Sequence, residues 1–424
     1  MKRSFYCGWP LLLAVALGSA WALPAKGQDT NAMTLDAAIR LAQADNPEIR
    51  VLAAEIATAR GEAMTAKTWQ NPELSVAPGL KTVRDSSDAQ FHGDFGLEQS
   101  FEWPGKRSLR RAVAEKNIVL RQLALNGFRA QLAIQVRRAY HTLLATREVV
   151  GLREQRLNLD RSFLAAAKKK VEGGFAPEFE ATKAEVEVVA AQKNLREAQA
   201  QLDTARVTLN MLMGRAPTEQ QTVAGMLDDN LQVPDQSRLM EQALLCNPVV
   251  KVQEAEAERT GLSLQSIRKS RLPDFKVGPR LEYTRDEQIV GFGLTLPLLL
   301  WDNKKGEVAS AAADQEKALA ELDKLRRDIL GEVMTAAQNL TATRDSLAFY
   351  TPGLRDKLKV ALDAAAQGYT EGRTPLLLYL EAQRTYFDTQ ADYFDTLQKT
   401  FAAQAELESA IGVPLSQLFP ISAK

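Results

Sequence analysis

Few residues in this chain are of a type that does chemistry, and they are scattered. Two histidines, His92 and His141, and two cysteines, Cys7 and Cys246, are its whole stock of imidazoles and thiols across 424 residues. None stand at the spacing of a zinc or redox centre. Neither a nucleophile elbow nor a phosphate-binding loop occurs. The sequence therefore points to no enzyme, no cofactor and no resident metal. Lys+Arg and Asp+Glu are both 53, a balance that argues against a nucleic-acid binder, which carries a basic excess. What stands out is a pair of turns, Gly173-Gly174-Phe175-Ala176-Pro177 and Gly372-Arg373-Thr374-Pro375. Glycine supplies special backbone angles there and proline starts the next helix. Glu178, Glu180 and Glu381 follow them. A carboxylate at a helix start complements the helix dipole; gathered about a narrow opening, carboxylates attract cations.

These turns are positioned by a duplication. Asn46-Pro47 recurs as Asn247-Pro248 and Pro72 as Pro273, both 201 residues on. Gly105-Lys106-Arg107 matches Asn303-Lys304-Lys305 at 198, as do Pro177 with Pro375, Ala184 with Ala382 and Gly214 with Gly412. An ordered series at one spacing marks a tandem repeat. The first repeat covers 34–215, with a β-hairpin at about 72–103 and a long helical hairpin at 105–213. The second covers 237–413, with a β-hairpin at about 273–299 and a helical hairpin at 303–411. Residues 216–236 join the repeats, and 414–424 form a tail.

In each repeat a short helix gives way to Asn-Pro, where Asn caps and Pro opens a new helix. Alternating residues then predict strands. Phe91, Phe95, Leu97 and Phe101 lie on one face, and His92, Asp94, Glu98 and Glu102 on the other. Phe275, Val277, Leu281 and Tyr283 alternate with Lys276, Arg280 and Glu282, and Val290 to Leu298 continue the pattern. Leu74-Ser75-Val76 is the weakest strand. Such alternation suits a membrane barrel, although a half-buried soluble strand alternates equally well. His92 falls on the polar face, as a solvated residue. From Gly105 to Glu172 no proline interrupts a helical pattern; roughly 65 residues of helix reach about 100 Å. Pro352 interrupts only the second repeat and predicts a difference in curvature there. Helices of this kind are also those of a plain coiled coil.

The N-terminus reads as a signal peptide over 1–25. Lys2 and Arg3 precede the apolar run Trp9 to Leu17, and Ala20-Trp21-Ala22 fits a cleavage site. Cleavage removes Cys7 and leaves Cys246 without a disulfide partner. No later run is long enough for a membrane helix. An exported chain of this kind is either periplasmic or part of a closed barrel. Four strands cannot close a barrel, and open edges are not tolerated in lipid. A barrel would need copies of the chain, and three give twelve strands. Trp69, Trp103 and Trp301 sit near the strand–helix junctions, where aromatic belts favour the membrane interface.

The string Gln99-Ser100-Phe101-Glu102-Trp103-Pro104-Gly105-Lys106-Arg107 resembles the strand-to-helix junction of the TolC-like outer-membrane efflux proteins, in their CzcC/CusC-like heavy-metal subgroup. The two turns, Asn46-Pro47 and the endings Leu209 to Gly214 and Ala410 to Val413 support it. The resemblance implies a mainly α fold with a membrane β-barrel contribution: long α-helical hairpins form a periplasmic tunnel, and four β-strands per chain are shared in a trimeric twelve-stranded barrel. It implies a homotrimer in the outer membrane of a Gram-negative bacterium, in contact with outer-membrane lipid. A periplasmic adaptor and an inner-membrane RND-type pump are the implied partners, and export of heavy-metal cations the implied function. Drug or protein export through the same fold is the alternative, and a periplasmic coiled-coil scaffold a more distant one. Gly173, Gly174, Pro177, Gly372, Arg373 and Pro375 would form adaptor-docking turns, and Glu180 and Glu381 a periplasmic constriction. Glu381 matches an acidic position of the family, but Leu378 stands where a second acid is expected. Trp103, Pro104, Gly105, Lys106 and Arg107 would join barrel to tunnel. Residues 216–236 and the tail would form an equatorial girdle. Many relatives carry an acylated N-terminal cysteine; this sequence does not support one.

Overall fold

The computed structural model describes residues 32–82, 89–225, 227, 235–284, 286–298 and 303–418. The signal peptide, Trp301, the tip of the first β-hairpin and the end of the tail lie outside them.

The repeat is visible element by element. Helices α1 (Leu35–Asp45) and α2 (Pro47–Lys67) lead to strands β1 (Glu73–Thr82) and β2 (Ala89–Phe101), then to α3 (Lys106–Glu172) and α4 (Glu178–Leu212). The second pass runs α5 (Gln236–Cys246), α6 (Pro248–Ser270), β3 (Phe275–Thr284), β4 (Gln288–Thr295), α7 (Lys305–Leu347), α8 (Pro352–Thr370) and α9 (Leu376–Ile411), with a final turn α10 (Leu415–Leu418).

One asparagine organises the closure of each repeat. The Asn46 side chain accepts the Glu48 N–H at 2.9 Å and caps α2; Asn247 accepts the Val249 N–H at 2.8 Å and caps α6. The amide nitrogens of the same residues donate to the ends of the returning helices, Asn46 to the Leu212 carbonyl at 3.0 Å and Asn247 to the Ala410 carbonyl at 2.8 Å. Gly214 and Gly412 follow those ends with φ of 71° and 88°. A Cβ on Gly214 would stand 2.6 Å from the Asp45 carbonyl oxygen, and one on Gly412 would stand 2.9 Å from the Asn247 Cα. Glycine is required at both for angle and for space.

The two β-hairpins join into a single antiparallel sheet, β1-β2-β3-β4, where the sequence pointed to separate hairpins. The register explains the union. Val76, Phe95, Leu281 and Val290 form one row across all four strands, and the adjoining row is Ser75, Gly96, Arg280 and Gly291. Directly paired residues share a face, so one face is mostly apolar, with Gln99 and Gln288 among its residues, and the other mostly polar. β1 continues past the predicted Leu74–Val76 to Thr82, because Leu80 pairs with Phe91 and extends the apolar face. β4 ends at Thr295, short of the expected Leu298.

Below the sheet, α3 packs on α2 and α6, and α6 on α7. Further on, α3 packs on α4 and α9, and α9 on α7 and α8. The helices thus form a layer ordered α4, α3, α9, then α7 with α8. Each repeat has its own core. Ala38, Ala42, Ile49, Leu132, Leu209 and Met213 pack together in the first; Leu239, Ala243, Val250, Ile329, Leu407 and Ile411 do so in the second. Pro352 does more than bend the helix. α7 stops at Leu347, and Thr351 caps a new helix by accepting the Leu354 N–H at 3.3 Å, with Pro352 in its first turn. Part of the inter-repeat segment lies across the middle of α3. Val223 makes a parallel bridge with Met33, the Tyr140 hydroxyl donates to the Met33 carbonyl at 2.8 Å, and Arg147 Nη1 donates to the Val223 carbonyl at 2.8 Å.

Candidate functional site

The helical turns share one backbone design. Gly174 and Gly372 are left-handed, with φ of 73° and 76°. The Phe175 N–H reaches back to the Lys170 carbonyl and the Arg373 N–H to the Gly368 carbonyl, each at 2.8 Å, which closes a Schellman turn in both. Gly173 is right-handed at φ −78°, so no special angle requires it; a Cβ there would meet the Phe175 ring at 2.7 Å. Pro177 and Pro375 occupy the cap positions of α4 and α9, one residue before the helices they were expected to start. Arg373 turns back to pair with Glu371. Around the turns Phe175, Phe179, Leu377 and Leu378 are exposed, Phe175 to 87%.

Sequence reading put Glu180 and Glu381 in one constriction, yet within the chain they differ. Glu180 is half-buried and accepts the Tyr369 hydroxyl at 2.8 Å, a bond from α8 to α4 that ties the two helical hairpins together. Burial and the Glu180 carboxylate hold the Tyr369 phenol well above its ordinary range. Lys170 reinforces the tie: its ammonium lies 3.8 Å over the Tyr369 ring and also bonds the Tyr369 carbonyl. Glu381 is exposed on α9. Tyr369 and Lys170 escaped the sequence reading. The one available signal was a break in the repeat, since Tyr369 stands 198 residues after Val171.

At the other end of α3, the junction residues converge on a partner from the second repeat. Asp274 accepts the Trp103 N–H at 3.0 Å and the Lys106 ammonium at 2.7 Å. Gly105 makes the corner at φ 95°, directly after Pro104. The Arg107 guanidinium lies 4.0 Å over the Trp69 ring. Arg110 binds Glu102 at 2.6 Å, and that carboxylate is only 6% exposed. In the second repeat the left-handed corner falls on Lys304, φ 56°. The corners of α3 and α7 are therefore 199 residues apart, one more than the pairing of Gly105 with Asn303 implied.

On the polar face of the sheet, charges pair across strands, Lys276 with Glu73 and Arg280 with Asp94, and the His92 ring lies 3.8 Å from the Glu282 carboxylate. Among the described residues no group of three His, Cys, Asp or Glu is placed to hold a metal ion. No helix of the described residues is long and apolar enough to cross a membrane.

This arrangement, a small sheet with one apolar face above a layer of very long paired helices, has known relatives. The profile described as outer membrane efflux protein matches residues 38–215 and 239–413, one match to each repeat. The chain belongs to the outer membrane efflux protein family. It is 28% identical over 382 residues to the cobalt-zinc-cadmium resistance protein CzcC of Cupriavidus metallidurans, covering 90% of each chain. It is 25% identical to the nickel-cobalt-cadmium resistance protein NccC of Alcaligenes xylosoxydans xylosoxydans, over 80% of this chain and 76% of that one. Among solved structures the fold is similar to CusC, with TM-score 0.75, 15% identity and coverage of 89% and 92%. It is also similar to the CmeC outer membrane channel of Campylobacter jejuni, with TM-score 0.74, 14% identity and coverage of 89% and 85%. Its fold is that of outer-membrane efflux channels.

Proposed function

We propose that three copies of the mature chain close into one duct. The chain reaches the outer membrane after its signal peptide is removed. Twelve strands enclose a pore in the lipid, and the helices continue as a tunnel into the periplasm. The observation that carries this reading is the sheet. The apolar row Val76, Phe95, Leu281 and Val290 crosses all four strands, while the outer edges of β1 and β4 are unpaired among the described residues. In lipid those edges must be paired, and further copies of the same sheet can pair them. Away from the turns, where Tyr369 of α8 meets Glu180 of α4, the helical layer also ends in α4 on one side and α7 on the other.

The cargo in this reading is heavy-metal cations, passed on by a periplasmic adaptor and an inner-membrane RND-type pump. The likeness to the resistance proteins CzcC and NccC over most of their length supports metals above drugs or proteins. Such ions pass as cargo, and no resident metal is needed. The exposed turns Gly173–Pro177 and Gly372–Pro375, with exposed Phe175 in the first and exposed Leu377 in the first turn of α9 after the second, are the proposed adaptor-docking surface. Glu381 supplies the acidic ring at the mouth, and Glu180 stabilises its closed form through Tyr369. Deleting the gene should sensitise the cell to one or more of cobalt, zinc, cadmium and nickel, with recovery on complementation. Sensitivity to organic drugs and to no metal would overturn the cargo assignment.

A further inference from the structure

Where the two helical hairpins meet, α3 against α9, the seam contains a polar cluster that a passive wall does not need. Asp160 on α3 is fully buried and Gln383 on α9 is 2% exposed. Gln383 Nε2 donates to Asp160 Oδ1. Asp160 Oδ2 accepts no hydrogen bond; Arg156 Nε lies 3.7 Å from it and is likewise without an acceptor. The Arg156 guanidinium also reaches Glu187 of α4 at 3.7 Å and Asp388 of α9 at 3.9 Å. Behind these, Lys183 holds Glu187 at 2.8 Å and Arg384 holds Asp388 at 3.4 Å. Burial, and after it the Asp160 charge, raise the Tyr379 phenol of α9 above its ordinary range. Around the cluster the seam is apolar, with Leu152, Phe163 and Ala167 packed with Leu362, Tyr379 and Phe387; nearer the sheet α3 and α9 meet again through Arg137 and Glu408 at 3.8 Å and through Ser409 and Gln131 at 3.0 Å.

An ionised carboxylate is poorly served in that setting. It has left water, and one oxygen has only a distant, misaligned cation in return. Burial is the largest influence and pushes the Asp160 carboxyl up to about 6; Gln383 and Arg156 pull the other way, and Glu187 adds to the push.

We propose that Asp160 makes the α3–α9 seam a proton-dependent joint, tight when the carboxyl carries its proton and readier to part when it is ionised. The joint belongs to a single chain. Its consequence, a mouth that widens more easily near neutrality than in acid, rests on the channel reading above. The sign follows from linkage. The docked seam binds the proton more tightly than the parted seam, where the carboxyl returns toward its ordinary value of 3.8. The docking advantage is therefore full below that value and is lost as pH rises through about 6. Between pH 5 and pH 7 the loss amounts to about tenfold in the docking equilibrium of each chain.

Hydrogen–deuterium exchange on the purified full-length protein in detergent tests this. Amide protection over residues 152–167 and 376–390, corrected for intrinsic exchange, should fall about tenfold between pH 5 and pH 7 in the unaltered protein. Asp160→Asn keeps the shape and the acceptor for Gln383, and should hold high protection at both values. Arg156→Gln should move the midpoint to higher pH, because the ionised carboxyl loses its cation. Exposed Glu185→Gln should change nothing. If Asp160→Asn retains the pH dependence, or if Arg156→Gln leaves the midpoint in place, the joint is refuted. A protein that is not trimeric would remove the channel reading and leave this result standing; a trimer with a pH-insensitive seam would do the reverse.

Discussion

In the first repeat the helix leaving the sheet, α3, runs 67 residues without interruption; in the second the same path is divided into α7 of 43 residues and α8 of 19. The returning helices differ as well. α9 exposes Glu381, Asp388, Asp392 and Asp395 along one side, where positions 198 earlier on α4 carry Lys183, Ala190, Asn194 and Glu197. Tyr369, the donor to Glu180, has Val171 as its counterpart. Against this, the asparagine caps, the glycines at 214 and 412 and the Schellman turns are nearly superimposable in function. The repeats stay alike where parts must lock together and diverge toward the mouth. The second hairpin is jointed, acidic and latched, and it leans on a first hairpin that is one stiff rod.

Substitutions can test how far that likeness extends. The sheet is where the repeats should be most alike. Phe95→Lys in β2 and Leu294→Lys in β4 both put a charge on the apolar face, and each should cost about 2–4 kcal/mol per chain near mid-bilayer. Glu98→Lys, on the polar face, should leave assembly intact. Heat-resistance of the assembled particle on gels reads all three, and equal behaviour of Phe95→Lys and Glu98→Lys would show the assigned strand register to be wrong.

The long helices are where the repeats should differ most. Glu154 is exposed within α3, 198 residues before Pro352. Glu154→Pro should destabilise the chain by about 3 kcal/mol, since it removes a hydrogen bond and clashes with the preceding turn. Pro352→Glu falls in the first turn of α8 and should cost less than about 1 kcal/mol. Denaturant melts of the two variants should be clearly separated; coincident melts would mean that α3 is already broken in solution.

A smaller and equal effect is expected at the asparagines. Asn46→Ala and Asn247→Ala each lose a helix cap and strand the carbonyl at the end of a returning helix, a loss of about 1–2 kcal/mol apiece. A large difference between the two melting shifts would mean that the repeats do not close in the same way.

Much of this could be read from the sequence because it is periodic. The spacing of Asn46-Pro47 and Asn247-Pro248, the alternation through Phe95 and Leu281, and the proline-free run before Glu172 each state their local structure directly. What could not be read depends on pairs far apart in the chain. Asp274 holding Lys106, Tyr369 reaching Glu180 and Asp160 meeting Gln383 join residues 168, 189 and 223 positions apart. No local pattern announces such a pair. The union of the two hairpins was hidden for the same reason, since it depends on a β2–β3 register between distant segments. The one-residue shift from Gly105 to Lys304 is invisible to the alignment of Gly105-Lys106-Arg107 with Asn303-Lys304-Lys305, because only the backbone shows that a lysine takes the left-handed corner in the second repeat.

The central claim is that one chain supplies a third of a closed barrel. Its most direct test is the mass of the purified mature protein in detergent, measured by light scattering with the detergent contribution subtracted. Three chains per particle, stable to dilution, is the result expected from four strands with two unpaired edges. A stable monomer that retains its β-structure would contradict the account.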